Sequence, residues 1–293
     1  MIKVIASDLD GTLLNEKHVL SVETINMVRT ACAKGMRFVI VTGRNYKSAR
    51  SVCKILAPNI SEYIVNSGAE IRNKEGVLLE KKILLPAQVF EVYERLKNFP
   101  ISLGFTTASK EYLVHHDSNT EKRFKERMKA LYLSMGENAF EQEEGYKEIL
   151  EERKQIDNVD QILRQDVYKM HVFVDEDFDR KALYSVLEGI SDMAISYSIE
   201  ICMEITHIEA QKGPVLLRYI EALGYRKEEI LVLGDSNNDY SMMTMDFGAT
   251  VAMGNAEESI KMAAEYITET NKEQGAAYAI GELLEGDLKN LRK

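Results

Sequence analysis

Apolar and polar positions along the first third of the chain follow two alternating periods. Short apolar runs at Lys3–Ser7, Met36–Val41 and Tyr63–Val65 predict buried β-strands, and the stretches between them repeat apolar residues at helical spacing. Strand, helix, strand, helix, strand with short loops is typical of right-handed βαβ units. The pattern therefore predicts a parallel sheet that helices cover on both faces.

The middle third of the chain has a different pattern of apolar and polar residues. Pro86 opens an amphipathic helix, after which the chain becomes more polar. Val167–Asp175 and Ala194–Ile205 are predicted as strands, and Phe178–Ile190 as a helix between them. The charge-dense segment Glu137–Gln155 is interpreted as a solvated helix or loop. Together these features predict an inserted α+β domain.

After about Gln211 the α/β pattern resumes. The predicted elements are a helix at Val215–Leu223, a strand at Ile230–Leu233, a helix carrying Met242 and Met243, a strand at Thr250–Met253 and a helix at Ile260–Ala264. We therefore predict an α/β protein. A Rossmann-like, doubly wound parallel-sheet core at 1–84 and 208–293 is interrupted by the inserted α+β domain at 85–207.

Composition and charge narrow the function classes. The 293 residues are 45% hydrophobic and 29% charged, which is ordinary for a folded chain, and the formal net charge of −10 argues against nucleic acid and anionic membranes as partners. Cys32, Cys53 and Cys202 form no CxxC pair, so neither a disulfide framework nor a zinc site is predicted. We find no secretory signal and no long apolar run, and we expect a cytoplasmic protein.

Two carboxylates follow the first predicted strand. Asp8 and Asp10 are two residues apart, so in extended backbone their side chains leave on the same side. The carboxyl ends of parallel strands are where α/β sheets bind ligands, and two close carboxylates favour a cation or a shared proton. An Asp-Gly turn that caps a helix would explain only one of the two acids.

A third acid follows a later strand. Asp235 stands directly after Ile230–Leu233, and with Asp8 and Asp10 it would form an oxygen-only site suited to Mg²⁺ rather than zinc. Helix N-capping is an alternative role for Asp235 or for Asp239.

Phosphate-binding groups stand at the same predicted edge. Thr42 and Gly43 follow the second strand and offer a hydroxyl and a backbone N–H, while Lys212 offers a cation where the core resumes. Each alone is weak, because Thr-Gly before a helix is usually a cap and lysines are usually on the surface. Because these groups occur in this order and at strand ends, each strengthens the interpretation of the others as phosphate-binding groups.

Four motifs in this order, DLDGTLL, VTGR, KG and GDSNND, resemble those of the haloacid dehalogenase-like phosphohydrolase superfamily, in particular its Cof-type branch with an α/β cap. The resemblance extends over essentially the whole chain and includes the turn Asn66–Ala69 and the run Val251–Ala256. Ser67 replaces the glycine usual in that turn, and Thr206–Ala210 departs from the usual stretch before Lys212. Both departures bear on substrate identity rather than on chemistry.

The resemblance implies a Mg²⁺-dependent phosphatase of small phosphomonoesters, most often sugar phosphates. It implies that Asp8 attacks phosphorus, that Asp10 is the general acid and base, and that the Asp8 side chain, the Asp10 carbonyl and the Asp235 side chain bind Mg²⁺. The residues it places around the phosphoryl group or substrate are Leu9, Asp10, Thr42, Gly43, Asn66, Lys212, Asn238 and Asp239, the last orienting Lys212 or a metal-bound water. The expected partner is a small phosphorylated metabolite, the expected assembly a monomer or homodimer, and the inserted domain a cap that closes over the cleft.

Several interpretations stay open at this stage. Arg44 either reaches the distal part of the substrate or pairs with a surface acid, and His207 either lines the cleft or is structural. His115-His116-Asp117 has the letters of a metal site, but adjacent strand residues point to opposite faces, which disfavours one. A sugar phosphomutase of the same superfamily is a close alternative function. A phospho-switch that keeps its aspartyl-phosphate is another, although a second acid at Asp10 would shorten the lifetime of the switch.

Overall fold

The computed structural model describes residues 1–108, 110–134, 153–174, 180–199, 202–286 and 288–291. It divides the chain into two compact units. Residues Met1–Lys81 and Glu209–Lys293 form one, here named the core unit, and Lys82–Ile208 forms the other, here named the cap unit. Most of the predicted charge-dense segment, residues 137–152, lies outside the described residues, as do Asp175 and Phe178 from two predicted elements.

The strands and helices are numbered in chain order over the described residues. The strands are β1 (Val4–Ser7), β2 (Arg37–Val41), β3 (Ile60–Val65), β4 (Glu70–Asn73), β5 (Leu78–Lys81), β6 (Ser102–Thr107), β7 (Glu111–His115), β8 (Arg153–Gln155), β9 (Val167–Phe173), β10 (Met193–Ile199), β11 (Cys202–His207), β12 (Ile230–Gly234), β13 (Ala249–Ala252) and β14 (Tyr266–Ile267). The α-helices are α1 (Val22–Ala33), α2 (Tyr46–Val52), α3 (Pro86–Leu96), α4 (Ser118–Ser134), α5 (Arg180–Leu187), α6 (Lys212–Ala222), α7 (Tyr240–Met243), α8 (Glu258–Ala263) and α9 (Gly275–Glu285).

The core unit is built on an eight-stranded sheet in the order β14-β13-β12-β1-β2-β3-β4-β5. The six strands from β14 to β3 are parallel, which confirms the predicted doubly wound core. The last two strands, β4 and β5, are antiparallel and were not predicted. Strand β5 is largely exposed, so it lacks the continuous apolar run that marks a buried strand.

Buried central strands and capped helices fix the loops at the sheet edge. All four residues of β1 are buried between its neighbours β12 and β2. Ser21 caps α1 by accepting the Thr24 N–H, and Asn45 caps α2 by accepting the Ser48 N–H. Gly35, with φ +86°, follows α1 in the left-handed conformation that commonly ends a helix. Helix α1 therefore ends shortly before β2 begins, and helix α2 begins shortly after β2 ends.

The cap unit is a six-stranded sheet in the order β10-β11-β9-β6-β7-β8. Helices α3 and α5 pack with its strands in one hydrophobic cluster, which includes Val92, Phe105, Met170 and Leu183. The predicted single strand at Ala194–Ile205 is wrong, because the chain forms two antiparallel strands there, β10 and β11. The alternating pattern runs through the connection without glycine or proline, so the sequence carries no signal of the break.

Within the described residues, no helix is both long enough and apolar enough to cross a membrane.

Candidate active site

The candidate site lies in the core unit where three neighbouring strands end. Asp8 follows β1, Thr42 follows β2 and Asp235 follows β12, and these parallel strands put their carboxyl ends at one edge. Gly11 turns the chain back with φ +78°. A Cβ on Gly11 would run into the Asp235 carboxylate, so this glycine lets the loop after β1 approach the loop after β12.

Lys212 is the cationic centre of the site. It begins α6 and is 1% exposed. Its Nζ donates to Asp8 Oδ1 at 2.8 Å, to Asp239 Oδ1 at 2.7 Å and to Asn238 Oδ1 at 3.1 Å. An ammonium group has three protons, so all its donors are used. Burial opposes the charge, but Asp239 and Asp8 raise the pKa of Lys212 above its ordinary value and keep it protonated.

Three carboxylates gather around this ammonium. Asp8, Asp235 and Asp239 each offer an oxygen, and these oxygens lie within 4.8 Å of one another. The second oxygen of Asp239 accepts the backbone N–H groups of Asp235, at 3.0 Å, and Ser236, at 3.2 Å. Asp235 Oδ1 accepts the Thr12 hydroxyl at 2.7 Å. Both oxygens of Asp239 therefore accept hydrogen bonds from the protein, three in all, whereas Asp8 and Asp235 have fewer such donors.

The electrostatics of these acids reflect burial and mutual repulsion. Burial raises the pKa of Asp8 to about 7; Lys212 opposes this, while Asp239 and Asp10 add to it. Burial, with the nearby charges of Asp8 and Asp239, also raises the pKa of Asp235 well above its ordinary value. Like charges packed this closely need additional positive charge before all of them can ionise.

Asp10 has a different environment, although it is only two residues from Asp8. Arg44 donates from Nε to Asp10 Oδ2 and from Nη2 to Asp10 Oδ1, both at 2.6 Å, and His18 Nδ1 lies 3.0 Å from Oδ1. Burial alone would raise the pKa of Asp10, but the hydrogen bonds from Arg44 and His18 hold it well below its usual range. Arg44 thus pairs with a predicted catalytic acid, a partner that sequence reasoning did not consider.

The loops after β2 and β3 are joined by backbone hydrogen bonds. Thr42 is 1% exposed, its hydroxyl accepts the Arg44 N–H at 3.2 Å, and its carbonyl accepts the Ser67 N–H at 3.0 Å. The Asn66 N–H donates to the Arg44 carbonyl at 2.8 Å, while the Asn66 side-chain amide donates to Glu70. The structure therefore brings Asn66 to the site through its backbone rather than through its side chain.

Two further predicted residues contribute only through the backbone. The Leu9 side chain is fully buried in the hydrophobic core, so the residue can offer only its peptide group to a ligand. Gly43 has no side chain and lies between Thr42 and Arg44, in the loop after β2.

Sequence reasoning missed several residues that order the site. Besides Thr12 and His18, the Ser236 hydroxyl donates to Asn238 Oδ1, Glu257 accepts the Asn237 N–H, and Asn255 donates to the Gly11 carbonyl. Thr12 lies inside the motif DLDGTLL, and Asn255 lies inside the run Val251–Ala256. Their place in these motifs is the signal that could have identified both residues. His18 has no motif, since its contact with Asp10 depends on the path of the loop between them.

The remaining histidine candidates lie in the cap unit. His115 pairs with the Ser102 hydroxyl at 2.7 Å, and His116 with the Lys97 carbonyl at 3.0 Å. Asp117 accepts the Thr120 N–H at the start of α4, which is a helix-capping role. The three neighbours therefore have separate partners. His207 ends β11 and is paired in register with Met193.

Comparison with known proteins identifies relatives over nearly the full length. The family described as haloacid dehalogenase-like hydrolase matches residues 5–280. The chain is 29% identical to phosphatase YwpJ of Bacillus subtilis, with 96% of this chain and 100% of the relative covered. It is 28% identical to the 5-amino-6-(5-phospho-D-ribitylamino)uracil phosphatase YcsE of the same organism, with 95% and 94% covered. A solved subclass IIB sugar phosphatase of the superfamily, 23% identical, shares the fold with a TM-score of 0.77 over 96% of this chain and 98% of that one.

Proposed function

Because this chain belongs to the haloacid dehalogenase-like hydrolase family and is a phosphatase of that family, we propose that it hydrolyses small phosphomonoesters, foremost sugar phosphates, in a Mg²⁺-dependent reaction. The proposed intermediate is an aspartyl-phosphate on Asp8. The observation that carries this proposal is the contact between Asp8 Oδ1 and Lys212 Nζ at 2.8 Å, at the edge where the parallel strands end. It joins a buried carboxylate nucleophile to a fixed cation.

The residues around Asp8 fit a Mg²⁺ ion. The donors are carboxylate oxygens, which hard cations prefer, and the raised pKa values of Asp8 and Asp235 indicate a cluster short of positive charge. By the family resemblance, the Asp8 and Asp235 side chains and the Asp10 carbonyl would hold the ion. When bound, Mg²⁺ would neutralise phosphate charge that otherwise repels an anionic nucleophile.

In the first proposed step a carboxylate oxygen of Asp8 attacks phosphorus. The bond between phosphorus and the leaving oxygen breaks, and the phosphoryl group stays on Asp8. Lys212 stabilises the charge on the phosphoryl oxygens, and Asp239, in contact with it at 2.7 Å, holds the ammonium in place. The other proposed donors to the phosphoryl oxygens are the Thr42 hydroxyl, the Asn238 amide and the backbone N–H groups of Leu9, Asp10 and Gly43.

Asp10 is the proposed acid and base. It gives a proton to the leaving oxygen in the first step. In the second step it takes a proton from the water whose oxygen attacks phosphorus, and the bond to Asp8 breaks. Asp10 makes no hydrogen bond to Lys212 among those described and has its own partners, Arg44 and His18, which favour the ionised form that takes the proton from water.

Small phosphorylated metabolites are the proposed substrates because the named relatives act on them. YcsE is named for a phosphorylated ribitylamino-uracil, and the subclass IIB structure is that of a sugar phosphatase. Both names refer to a phosphorylated sugar or sugar-alcohol group. We therefore place sugar and sugar-alcohol phosphates first in a substrate screen.

Phosphate release from p-nitrophenyl phosphate and from a panel of sugar phosphates, with Mg²⁺ or with a chelator, tests the proposal. We expect release that depends on Mg²⁺. Isomerised sugar phosphate without free phosphate would instead indicate a phosphomutase. A long-lived acyl-phosphate without turnover would indicate a phospho-switch. Either result would contradict the proposed hydrolysis.

A further inference from the structure

The Asp10 carboxylate is held from two directions. Arg44 reaches both of its oxygens, and His18 reaches Oδ1 alone. A carboxylate has about four acceptor positions, two on each oxygen. In the described structure Oδ1 has two donors and Oδ2 has one, so an acceptor position stays open on Oδ2.

The loop that carries His18 is closed by its own hydrogen bonds. Asn15 N–H donates to the Val19 carbonyl at 3.0 Å, and His18 N–H donates to the Asn15 carbonyl at 2.9 Å. The Asn15 side chain accepts the N–H groups of Lys17 and Val19 at 3.0 and 3.2 Å. His18 has φ +55°, a left-handed conformation that is uncommon for residues with a side chain. The backbone strain and the turn together aim the imidazole at Asp10.

The other side of Asp10 is equally fixed. Arg44 Nη1 donates to the Ser48 hydroxyl at 3.1 Å, and the Arg44 backbone N–H donates to the Thr42 hydroxyl at 3.2 Å. Two parallel N–H bonds from one guanidinium set the plane of the carboxylate. These two bonds do not distinguish the oxygens of Asp10, because each oxygen accepts one bond from Arg44. His18 makes the difference between Oδ1 and Oδ2.

We propose that His18 is a positioning residue that occupies Oδ1 and leaves Oδ2 as the oxygen of Asp10 that handles the reacting proton. The inference rests on the proposed function. Asp10 Oδ2 passes its proton to the leaving oxygen as the bond from that oxygen to phosphorus breaks. Oδ2 then accepts a proton from water as the water oxygen bonds to phosphorus and the bond to Asp8 breaks. His18 Nδ1 donates to Oδ1 in both steps, because in the first step the Asp10 proton is on Oδ2 and in the second step the carboxylate is ionised, so Oδ1 is an acceptor each time.

Two variants separate the hydrogen bond from the backbone effect. His18→Asn keeps an N–H donor near the position of Nδ1, and His18→Gly removes it. Asparagine and glycine both tolerate positive φ, so neither variant is penalised by the loop conformation. The readout is kcat/KM for a sugar phosphate that the wild type hydrolyses and for p-nitrophenyl phosphate. This parameter covers the steps up to departure of the leaving group.

An alkoxide needs a proton in order to leave, whereas p-nitrophenolate leaves without one. We expect His18→Gly to lower kcat/KM for the sugar phosphate roughly tenfold more than for p-nitrophenyl phosphate, a fraction of the effect of a full general acid. His18→Asn should recover most of the loss. The positioning role would be overturned if His18→Gly lowered kcat/KM equally for both substrates or lowered it for neither. It would also be overturned if His18→Asn were as impaired as His18→Gly. Absence of phosphate release by the wild type from either substrate would instead overturn the proposed function.

Discussion

At the scale of single residues, the site has too much negative charge for its own stability. One ammonium, on Lys212, contacts Asp8 and Asp239, and Asp235 lies within the same cluster. Buried charges are costly unless each is compensated, and here the carboxylates outnumber the cation. This imbalance explains the raised pKa values of Asp8 and Asp235, and it leaves the cluster ready to accept a cation.

Replacing Asp235 tests this imbalance. Asp235→Asn removes one partly buried carboxylate charge yet keeps an oxygen that can accept the Thr12 hydroxyl. In metal-free buffer we expect the thermal midpoint to rise by a few degrees, because about 1 kcal/mol corresponds to a shift of that size. We also expect the variant to lose the stabilisation that the wild type gains from added Mg²⁺.

Asp246→Asn is the matched control, because Asp246 is 91% exposed and pairs with Lys227 on the surface. It should change neither midpoint nor metal response. A wild-type midpoint insensitive to Mg²⁺, or an Asp235→Asn midpoint below that of the wild type, would contradict the charge account. Thermal unfolding with and without Mg²⁺ measures both quantities.

Residue identities in the site were largely predictable, but their contacts were not. Asp8, Lys212 and Asp235 stand in motifs that the sequence displays. The contact of Thr12 with Asp235 joins positions 223 residues apart, and no local pattern encodes it. His18 was missed because its role depends on a left-handed turn at a residue that is not glycine.

At the scale of elements, one glycine sets how closely two helices approach. Gly213 is the second residue of α6, and a Cβ there would collide with the Ser241 carbonyl of α7. The Gly213 N–H also donates to the Ser241 hydroxyl at 3.0 Å. The preceding residue is Lys212, so this contact fixes the point from which the lysine reaches Asp8.

Gly213→Ala therefore should damage both stability and activity. The added methyl group pushes α6 away from α7, at a cost of about 1–3 kcal/mol, and displaces Lys212. Gly281→Ala is the matched control, because Gly281 lies inside α9 with only Met27 Sδ near its Cβ position, at 3.8 Å. That substitution should stabilise the protein by about 0.5–1 kcal/mol and leave kcat unchanged.

Denaturant unfolding and phosphate release, measured on both variants, check these expectations. Equal stability changes in the two alanine variants would show that the approach of α6 to α7 does not constrain the fold.

A second element-scale feature is a partly buried histidine, His171, on β9. His171 contacts the Thr106 hydroxyl at 3.0 Å and Cys202 Sγ at 3.6 Å. Burial lowers the pKa of His171 to about 4; Lys169 and Arg153 lower it further, while Glu111 and Glu204 oppose them. The unfolded chain binds a proton at this site near pH 6.5, and the folded chain binds it only near pH 4.

The free energy of unfolding therefore should fall as the pH drops from about 6.5 towards 4, since the unfolded state binds more protons in that window. Between pH 7 and pH 5 the contribution of His171 is of the order of 1–2 kcal/mol. His171→Gln should remove it, whereas His116→Gln, at an exposed position, should not. Urea unfolding at the two pH values measures the difference. An unchanged pH dependence in His171→Gln would contradict the assignment.

Element prediction succeeded where burial imposes a plain pattern. β1, β2 and β12 are continuous apolar runs, and their order along the chain suffices to predict a parallel sheet. Prediction failed at β4, β5 and the β10–β11 hairpin, where antiparallel pairing depends on partners rather than on a local run. Between β10 and β11 the sequence also has no glycine or proline to mark the end of a strand.

At the scale of the whole molecule, the core unit is assembled from two distant segments of the chain. Met1–Lys81 supplies Asp8, Asp10 and the β2 loop, and Glu209–Lys293 supplies Lys212 and the acids after β12. The site therefore exists only when both segments fold into one sheet. Lys212, the proposed phosphate-binding cation of a protein with net charge −10, is buried where the two segments meet.

The catalytic motifs indicate the reaction rather than the identity of the substrate. The four catalytic motifs lie in the core unit, whereas the family match at residues 5–280 spans both units. Proteins named for a phosphorylated ribitylamino-uracil and for sugar phosphates are both similar to this chain over nearly its full length. The departures at Ser67 and Thr206–Ala210 lie outside the catalytic motifs. A core chemistry shared in this way does not distinguish one small phosphomonoester from another.

The most direct test of the account compares phosphate release from p-nitrophenyl phosphate by the wild type and by Asp8→Asn, each with and without Mg²⁺ and each shown to be folded by its unfolding transition. We expect metal-dependent release by the wild type and a fall of about a thousandfold or more in the variant, because a nucleophile has been removed. Release by Asp8→Asn at the wild-type rate would contradict the central claim that Asp8 carries the phosphoryl group.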